Sequence, residues 1–280
     1  MENYDTIENK KMINIWDKKR VGLKKMKLYD VIQYRQSIRN FQMKPLEEKV
    51  LEKIICYQKT MKALYPDITC QIEIHNAMEK SWKKKKSPFQ VKAPYYLSLY
   101  SSTEQGYLLN AGYVLEELSL YLNTLGIGTC YQGAMKVSDN KKSELEEVLV
   151  MALGYPSRYL YRELGTAKRI ELKKECIFKE EPSKEVLTIL RAANLAPSSM
   201  NNQPWKFVVY KNRIHVFSHK SNSFIPIITK LHTIDMGIML NHMFLAAEEL
   251  WLEAEFSQLD NISNQLFKDY KYIMSMLISE

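Results

Sequence analysis

Few of the obvious signposts occur in this chain. No apolar run approaches the roughly 20 residues of a membrane-spanning helix, so no membrane segment is expected. The start, Met1-Glu2-Asn3-Tyr4-Asp5-Thr6-Ile7-Glu8, lacks the apolar centre of a secretory leader. Cysteine is scarce. Cys56, Cys70, Cys130 and Cys176 show neither a CxxC pair nor metal-ligand spacing, which argues against a disulfide framework or a zinc site. Reduced thiols in a cytoplasmic protein are the simplest account. There is no GxSxG, no P-loop and no GxGxxG, which argues against a hydrolase, an NTPase or a Rossmann enzyme. None of the five histidines stands in a recognisable motif. His215 and His219 are four apart on an expected strand and its end, a poor geometry for a metal.

What is present indicates a globular chain, with hydrophobic residues at 46% and charged residues at 26%. The 280 residues suffice for one large domain or two ordinary ones. The net charge of +8 suits an anionic ligand. The densest basic run, Lys83-Lys84-Lys85-Lys86, is short and has no nucleic-acid-reading motif beside it, so it reads as a solvated loop. Residues 1–25 are polar and basic and read as an extension.

Two stretches carry candidate chemistry. In Tyr34-Arg35-Gln36-Ser37-Ile38-Arg39-Asn40-Phe41, residues Arg35, Ser37 and Arg39 alternate, and an extended backbone would put them on one face. Two guanidiniums and a hydroxyl together make a phosphate clamp. In Pro197-Ser198-Ser199-Met200-Asn201-Asn202-Gln203-Pro204-Trp205, a polar loop lies between a helix stopped by Pro197 and the strand Phe207–Tyr210. Its hydroxyls and carboxamides can bind a phosphate or the edge of a heterocycle without charge.

Helices are expected over Met26–Ile32, Leu46–Tyr57, Tyr107–Leu125, 143–150 and Ile234–Leu252, and another begins after Ser183. Strands are expected over Ile68–His75, Ala93–Tyr100 and Val148–Leu153, with a hairpin of Phe207–Tyr210 and Ile214–Phe217. Tyr272–Ile278 could be strand or helix.

The two long helices superpose without a gap: Gly112 falls on Gly237, Leu115 on Leu240 and Asn110 on Asp235 (237 − 112 = 125). The preceding helices match at a different offset, with Val50-Leu51 on Val186-Leu187 (186 − 50 = 136), which puts Ile72 and Ile74 on Val208 and Tyr210. Two homologous halves would imitate a two-fold homodimer within one chain. The halves differ in content. The first carries the arginine ladder and the Gly126–Gly133 loop, and the second carries the Pro197–Trp205 loop.

These residues resemble the nitroreductase family of flavoenzymes. Arg35–Phe41 is similar to its N-terminal signature and Ala196–Trp205 to its second. Leu125–Gly133 resembles the third and Leu153-Gly154-Tyr155-Pro156 the fourth. The second signature comes last here, as in a fused-repeat branch of that family. The resemblance implies an α+β, nitroreductase-like fold with two repeats forming an intrachain pseudo-dimer, each a mostly antiparallel sheet around long central helices. The implied division is an extension at 1–25, a first half at 26–178 and a shorter second half at 179–280. It also implies FMN as cofactor. Arg35, Gln36, Ser37 and Arg39 would meet the phosphate and ribityl chain, and Pro197, Ser198, Ser199 and Asn201 would close the site. Gln132 and Gly133 match positions beside flavin N5, and Lys168 and Arg169 match a basic pair at the phosphate. The implied activity moves hydride from NADH or NADPH to a nitroaromatic, quinone or similar small acceptor. No side chain is assigned to proton transfer. The chain would act as a monomer in the cytoplasm, with no nucleic-acid or membrane partner. Two rival classes stay open: a flavin-binding sensor or store without turnover, and an anionic-surface binder using Lys83–Lys86.

Overall fold

A computed structural model describes residues 26–80, 82, 90–133, 135–137, 144–220, 226–262 and 267–279. The expected extension at 1–25 and the run Lys83–Lys86 lie outside them. The first helix, α1 (Leu28–Tyr34), buries Val31 and Ile32. Helix α2 (Glu48–Gln58) begins with Glu48 in its first turn, where a carboxylate meets the unpaired N–H groups of the helix start. Then come β1 (Cys70–Asn76), β2 (Tyr95–Ser101), α3 (Tyr107–Thr124), β3 (Gly128–Tyr131) and β4 (Glu146–Gly154). A one-turn helix, α4 (Leu172–Glu175), leads into β5 (Cys176–Phe178). Ser183 caps α5 (Lys184–Asn194) by accepting the Val186 N–H on its Oγ. The chain closes with β6 (Trp205–Val209), β7 (Arg213–His219), α6 (Pro226–Glu249), β8 (Glu253–Ser257) and β9 (Tyr270–Ser279).

Three expectations need correction. Residues 146–150 are strand, not helix: they open β4, whose run Val148–Leu153 is buried. Glu147 tolerates that place because its carboxylate accepts Ser98 Oγ at 2.7 Å and the Val137 N–H at 3.0 Å. Helix α6 starts at Pro226, eight residues before the expected Ile234. The tail that could not be typed is strand β9.

Among the described residues the strands form two sheets, ordered β1-β2-β4-β3 and β5-β6-β7-β9-β8. Every pairing is antiparallel except the parallel pair β5–β6. Without β5, the second sheet has the strand order of the first. The fold is nitroreductase-like α+β, with antiparallel sheets packed on helices.

The registers agree in detail. Gly128 pairs with Gly154 across β3 and β4, and Glu253 pairs with Ser279 across β8 and β9, each 125 residues further on (253 − 128 = 125; 279 − 154 = 125). A bulge between Leu99 and Tyr100 skips Val148, and a bulge between Val216 and Phe217 skips Ile273 (273 − 148 = 125). Ile72 faces Leu99 as Phe207 faces Val216, so the strand offset is 135 (207 − 72 = 135). By sheet register, then, Ile72 and Ile74 occupy the places of Phe207 and Val209, not Val208 and Tyr210. That one-residue difference exchanges the faces of the strand.

Helices α3 and α6 cross at the centre of the molecule and are apolar nearly all round, as buried helices are. Glycine permits the crossing. A Cβ on Gly112 would lie 2.1 Å from the Ile234 carbonyl oxygen, and one on Gly237 would lie 2.0 Å from that of Leu109. The two contacts exchange under the same 125-residue shift (234 − 109 = 125).

Candidate functional site

Arg35, Arg162 and Arg169 lie close enough for their charges to act on one another. Arg35 follows α1 directly, is 2% exposed and bridges Tyr161 in antiparallel fashion. Arg162 donates Nη1 to the Arg35 carbonyl, and Nη2 to the Ile32 and Gln33 carbonyls at 3.4 and 3.3 Å. It thereby satisfies the open carbonyls at the end of α1 and fixes where Arg35 begins. Arg169 donates Nη1 to Asn201 Oδ1 and the Lys168 carbonyl, and Nη2 to the Leu195 carbonyl, all at 2.9 Å.

The guanidiniums feel one another. Burial first, then the charges of Arg35 and Arg169, push Arg162 down to about 10. Burial and then Arg35 push Arg169 down to about 10, with Glu175 and Glu116 opposing. The Nε atoms of Arg35, Arg162 and Arg169 are all buried without a hydrogen-bond partner. Arg39 is exposed, and its charge reaches the same place. Burial raises the Cys130 thiol, and Arg39 and Arg35 together pull it back. Ser37 runs parallel to Thr129 in an isolated bridge. Gln36 lies apart from this group, with its Nε2 donated to the Tyr159 carbonyl at 3.0 Å.

The Pro197–Gln203 loop meets the arginines through Arg169. Its backbone is strained: Met200, Asn201 and Gln203 all have positive φ, at 52, 59 and 48°. Many bonds hold it there. Ser199 donates its N–H to both carboxylate oxygens of Asp235 at 3.0 Å and its Oγ to Oδ1 at 3.2 Å. Ser198 Oγ accepts the Gln203 N–H at 2.9 Å, and Gln203 Oε1 accepts the Ile170 N–H at 2.8 Å. Asn201 Nδ2 donates to the Lys168 carbonyl at 3.2 Å. Pro197 is buried beneath the loop, and Lys168 is exposed at its rim. The Ser199 and Asn201 side chains therefore build the loop and dock it on 168–169. Burial pushes the Asp235 carboxyl up to about 7, against the pull of the two Ser199 bonds.

Gln132 has little left to offer a ligand. Its Oε1 accepts the Val91 N–H at 2.9 Å, and its Nε2 donates to the Cys130 and Tyr131 carbonyls at 3.1 Å. Its own N–H and carbonyl are bonded to Val150 and Met135. Gly133, next to it, is exposed and lies against Leu231 of α6.

Beneath the arginines lies a buried network that the sequence did not reveal. Glu116 of α3 is fully buried, with Oε1 4.0 Å from Arg35 Nε and 2.9 Å from His242 Nε2. Its Oε2 accepts Tyr131 Oη at 2.6 Å. His242 Nδ1 donates to the Ala192 carbonyl at 3.0 Å, so one further proton lies between Nε2 and Oε1. The pair links α3 to α6 and α5 and seats a carboxylate under Arg35. Burial first, and then Glu116, hold the Tyr131 phenol well above its ordinary range.

Compared with known proteins, the family model described as "Putative TM nitroreductase" matches residues 27–247. The chain belongs to the nitroreductase family. No curated protein matches it. This nitroreductase is similar to the crystal structure of a "putative nitroreductase" from Thermotoga maritima, with a TM-score of 0.60 at 21% identity, over 94% of this chain and 97% of that one. An FMN-dependent nitroreductase from Clostridium difficile R20291 aligns at 16% identity and a TM-score of 0.40, over 51% of this chain and 95% of that one. A protein described as an NADH oxidase from Clostridium acetobutylicum aligns at 20% identity and a TM-score of 0.41, over 54% and 99%. In this nitroreductase, among the described residues, no helix is long and apolar enough to cross a membrane.

Proposed function

We propose that this nitroreductase is an FMN-dependent oxidoreductase built from two fused nitroreductase-like halves, 26–178 and 179–280, that pair within one chain. The repeated strand order, the shared bulges and the reciprocal glycine crossing support the fused pair. One observation carries the cofactor reading: three guanidiniums crowded together, each with a buried Nε that has no hydrogen-bond partner. Like charges gathered at such a cost fit a dianionic phosphate, which would relieve their repulsion and take up their free donors.

Arg35 and Arg169 would hold the phosphate, with Arg39 and Lys168 at the rim and Ser37 beside them. Arg162 positions Arg35 through its carbonyl. The strained Pro197–Gln203 loop closes the site from the second half, locked by Asp235 and Arg169. Gly133 is exposed at the edge of this region, with Leu231 of α6 filling the space where a side chain would stand. Bound FMN would supply hydride transfer from NADH or NADPH to a nitroaromatic, quinone or similar small acceptor. Among the described residues the arginine clamp occurs once, so one FMN per chain is expected, with the chain acting as a monomer.

Riboflavin lacks the phosphate and so provides the test. Lys168→Gln, at an exposed side chain, should weaken FMN binding about ten-fold, roughly 1.4 kcal/mol, and leave riboflavin binding unchanged. Equal losses for both flavins would place the phosphate elsewhere.

A further inference from the structure

A second group of cations lies away from the arginines, at the end of the second sheet. A cavity of about 180 Å³ is lined by Ser218, His219, Lys220, Thr229, His232, Thr233 and Lys271. It opens between the end of β7, the first turns of α6 and the start of β9. Among the described residues the lining has two ammoniums, two imidazoles and three hydroxyls, and no acidic side chain. Lys220 Nζ is steadied by the Lys268 carbonyl at 3.1 Å. Asp269, next to Lys268, meets this end of the sheet through its backbone carbonyl, which accepts the Lys220 N–H.

His232 is the telling member. Both of its ring nitrogens are closed off from solvent, and neither has a hydrogen-bond partner. A buried polar group left in that state is costly and rare. Its ring stands edge-on to His219 with centroids 6.3 Å apart. Burial, then the His219 charge, push the His232 imidazole below its ordinary value. Among the described lining residues no carboxylate balances the two ammoniums.

The first sheet supplies a comparison within the same molecule. A cavity at the matching end is lined by Thr69, Ser102, Thr103, Glu104, Glu144 and Leu145. There Ser102 stands in the place of His219 and Thr103 in that of Lys220 (219 − 102 = 117, the offset between the bulged strands; 216 − 99 = 117). Among the described residues that cavity is lined by two carboxylates and no basic side chain, so the two matching ends carry different described side chains.

We propose that the His219–His232–Lys220–Lys271 cavity binds a tetrahedral oxyanion of the phosphate class. The volume equals roughly six waters and falls below the range of about 300–1,000 Å³ typical of drug-sized ligands. It admits one such group and not a whole nucleotide. The inference stands on these residues and does not depend on the flavin reading.

The test is a titration of the full-length chain with orthophosphate at constant ionic strength set by chloride, followed by NMR of the histidine rings. The His219 and His232 resonances should shift saturably. Lys271→Gln, at an exposed strand position, should weaken the midpoint about ten-fold, and Glu104→Gln in the acidic cavity should leave it unchanged. A nucleoside monophosphate titrated in parallel separates the two sources. A lower midpoint than that of orthophosphate identifies a phosphomonoester headgroup, and an equal or higher one identifies the free ion. Absence of a saturable shift, or an unchanged midpoint in Lys271→Gln, would overturn the proposal.

Discussion

Replacing Gly112 or Gly237 with alanine tests how α3 and α6 cross. Alanine favours a helix interior over glycine by about 1 kcal/mol, so helix propensity alone predicts stabilisation. The crossing predicts the opposite. A Cβ at Gly237 would sit 2.0 Å from the Leu109 oxygen, and one at Gly112 would sit 2.1 Å from the Ile234 oxygen, where ordinary contact begins near 3.4 Å. Both obstacles are backbone, so no side chain can turn aside, and the helices must part by about 1.4 Å. Overpacking of this kind costs about 3 kcal/mol or more, which leaves a net loss of about 2 kcal/mol or more for each variant. For a chain of this size that is a fall of roughly 4–8 °C in melting temperature. The double variant should lose less than the sum, because one parting of the helices relieves both clashes. Thermal and urea melts of the two singles and the double measure this. Unchanged or raised melting temperatures in the singles, or strict additivity in the double, would refute the reciprocal crossing.

Two more predictions concern buried acids. The Asp235 carboxyl stands near 7 in the folded chain against an ordinary 3.8, so the folded state holds a proton that the unfolded state releases. Its contribution to stability is complete below about pH 4 and is lost as pH rises through 7. Asp235→Asn should flatten that part of the stability profile in urea melts from pH 4 to 8, and a parallel profile would contradict the assignment. His242→Ala leaves Glu116 buried beside Arg35 without its main partner and should cost about 3–5 kcal/mol. Joint replacement by His242→Leu and Glu116→Met should cost less than His242→Ala alone, as a larger loss in the pair would show that Glu116 is held by something else.

Much of the architecture is legible in the chain because hydrophobic periodicity and glycine placement are local signals. Gly112 and Gly237 align in the sequence and then meet in space. The pairing of Asn110 with Asp235 was visible too, and its meaning is structural. Asn110 Oδ1 accepts the Tyr65 N–H at 3.0 Å, as Asp235 accepts that of Ser199. Each fastens the loop that follows the preceding helix. The strand offset was misjudged by one residue because apolar strand residues match almost equally well after a small slip, and only pairing with a neighbour fixes register. The helix expected at 143–150 failed because Glu146-Glu147 looks like a solvated helix face, whereas Glu147 is satisfied inside the sheet by Ser98 and Val137.

The site divides in the same way. Arg35 stands out in the sequence through the alternating Arg35-Ser37-Arg39 ladder, whereas Arg169 comes only from the resemblance to the family. Arg162, Glu116, Tyr131 and His242 could not be picked out, because the three-dimensional fold brings them together from a loop, two helices and a strand. The hydroxyls and amides of the Ser198–Gln203 loop drew notice as possible ligand contacts. Most of them build the loop itself, and the charge that a phosphate would meet comes from the arginines.

The most direct measurement is the visible absorption spectrum of the purified chain saturated with FMN and freed of excess, read against protein mass. The account predicts one flavin per chain, bleached on addition of NADH or NADPH. Two flavins per chain, none retained, or a flavin that neither nucleotide reduces would contradict it.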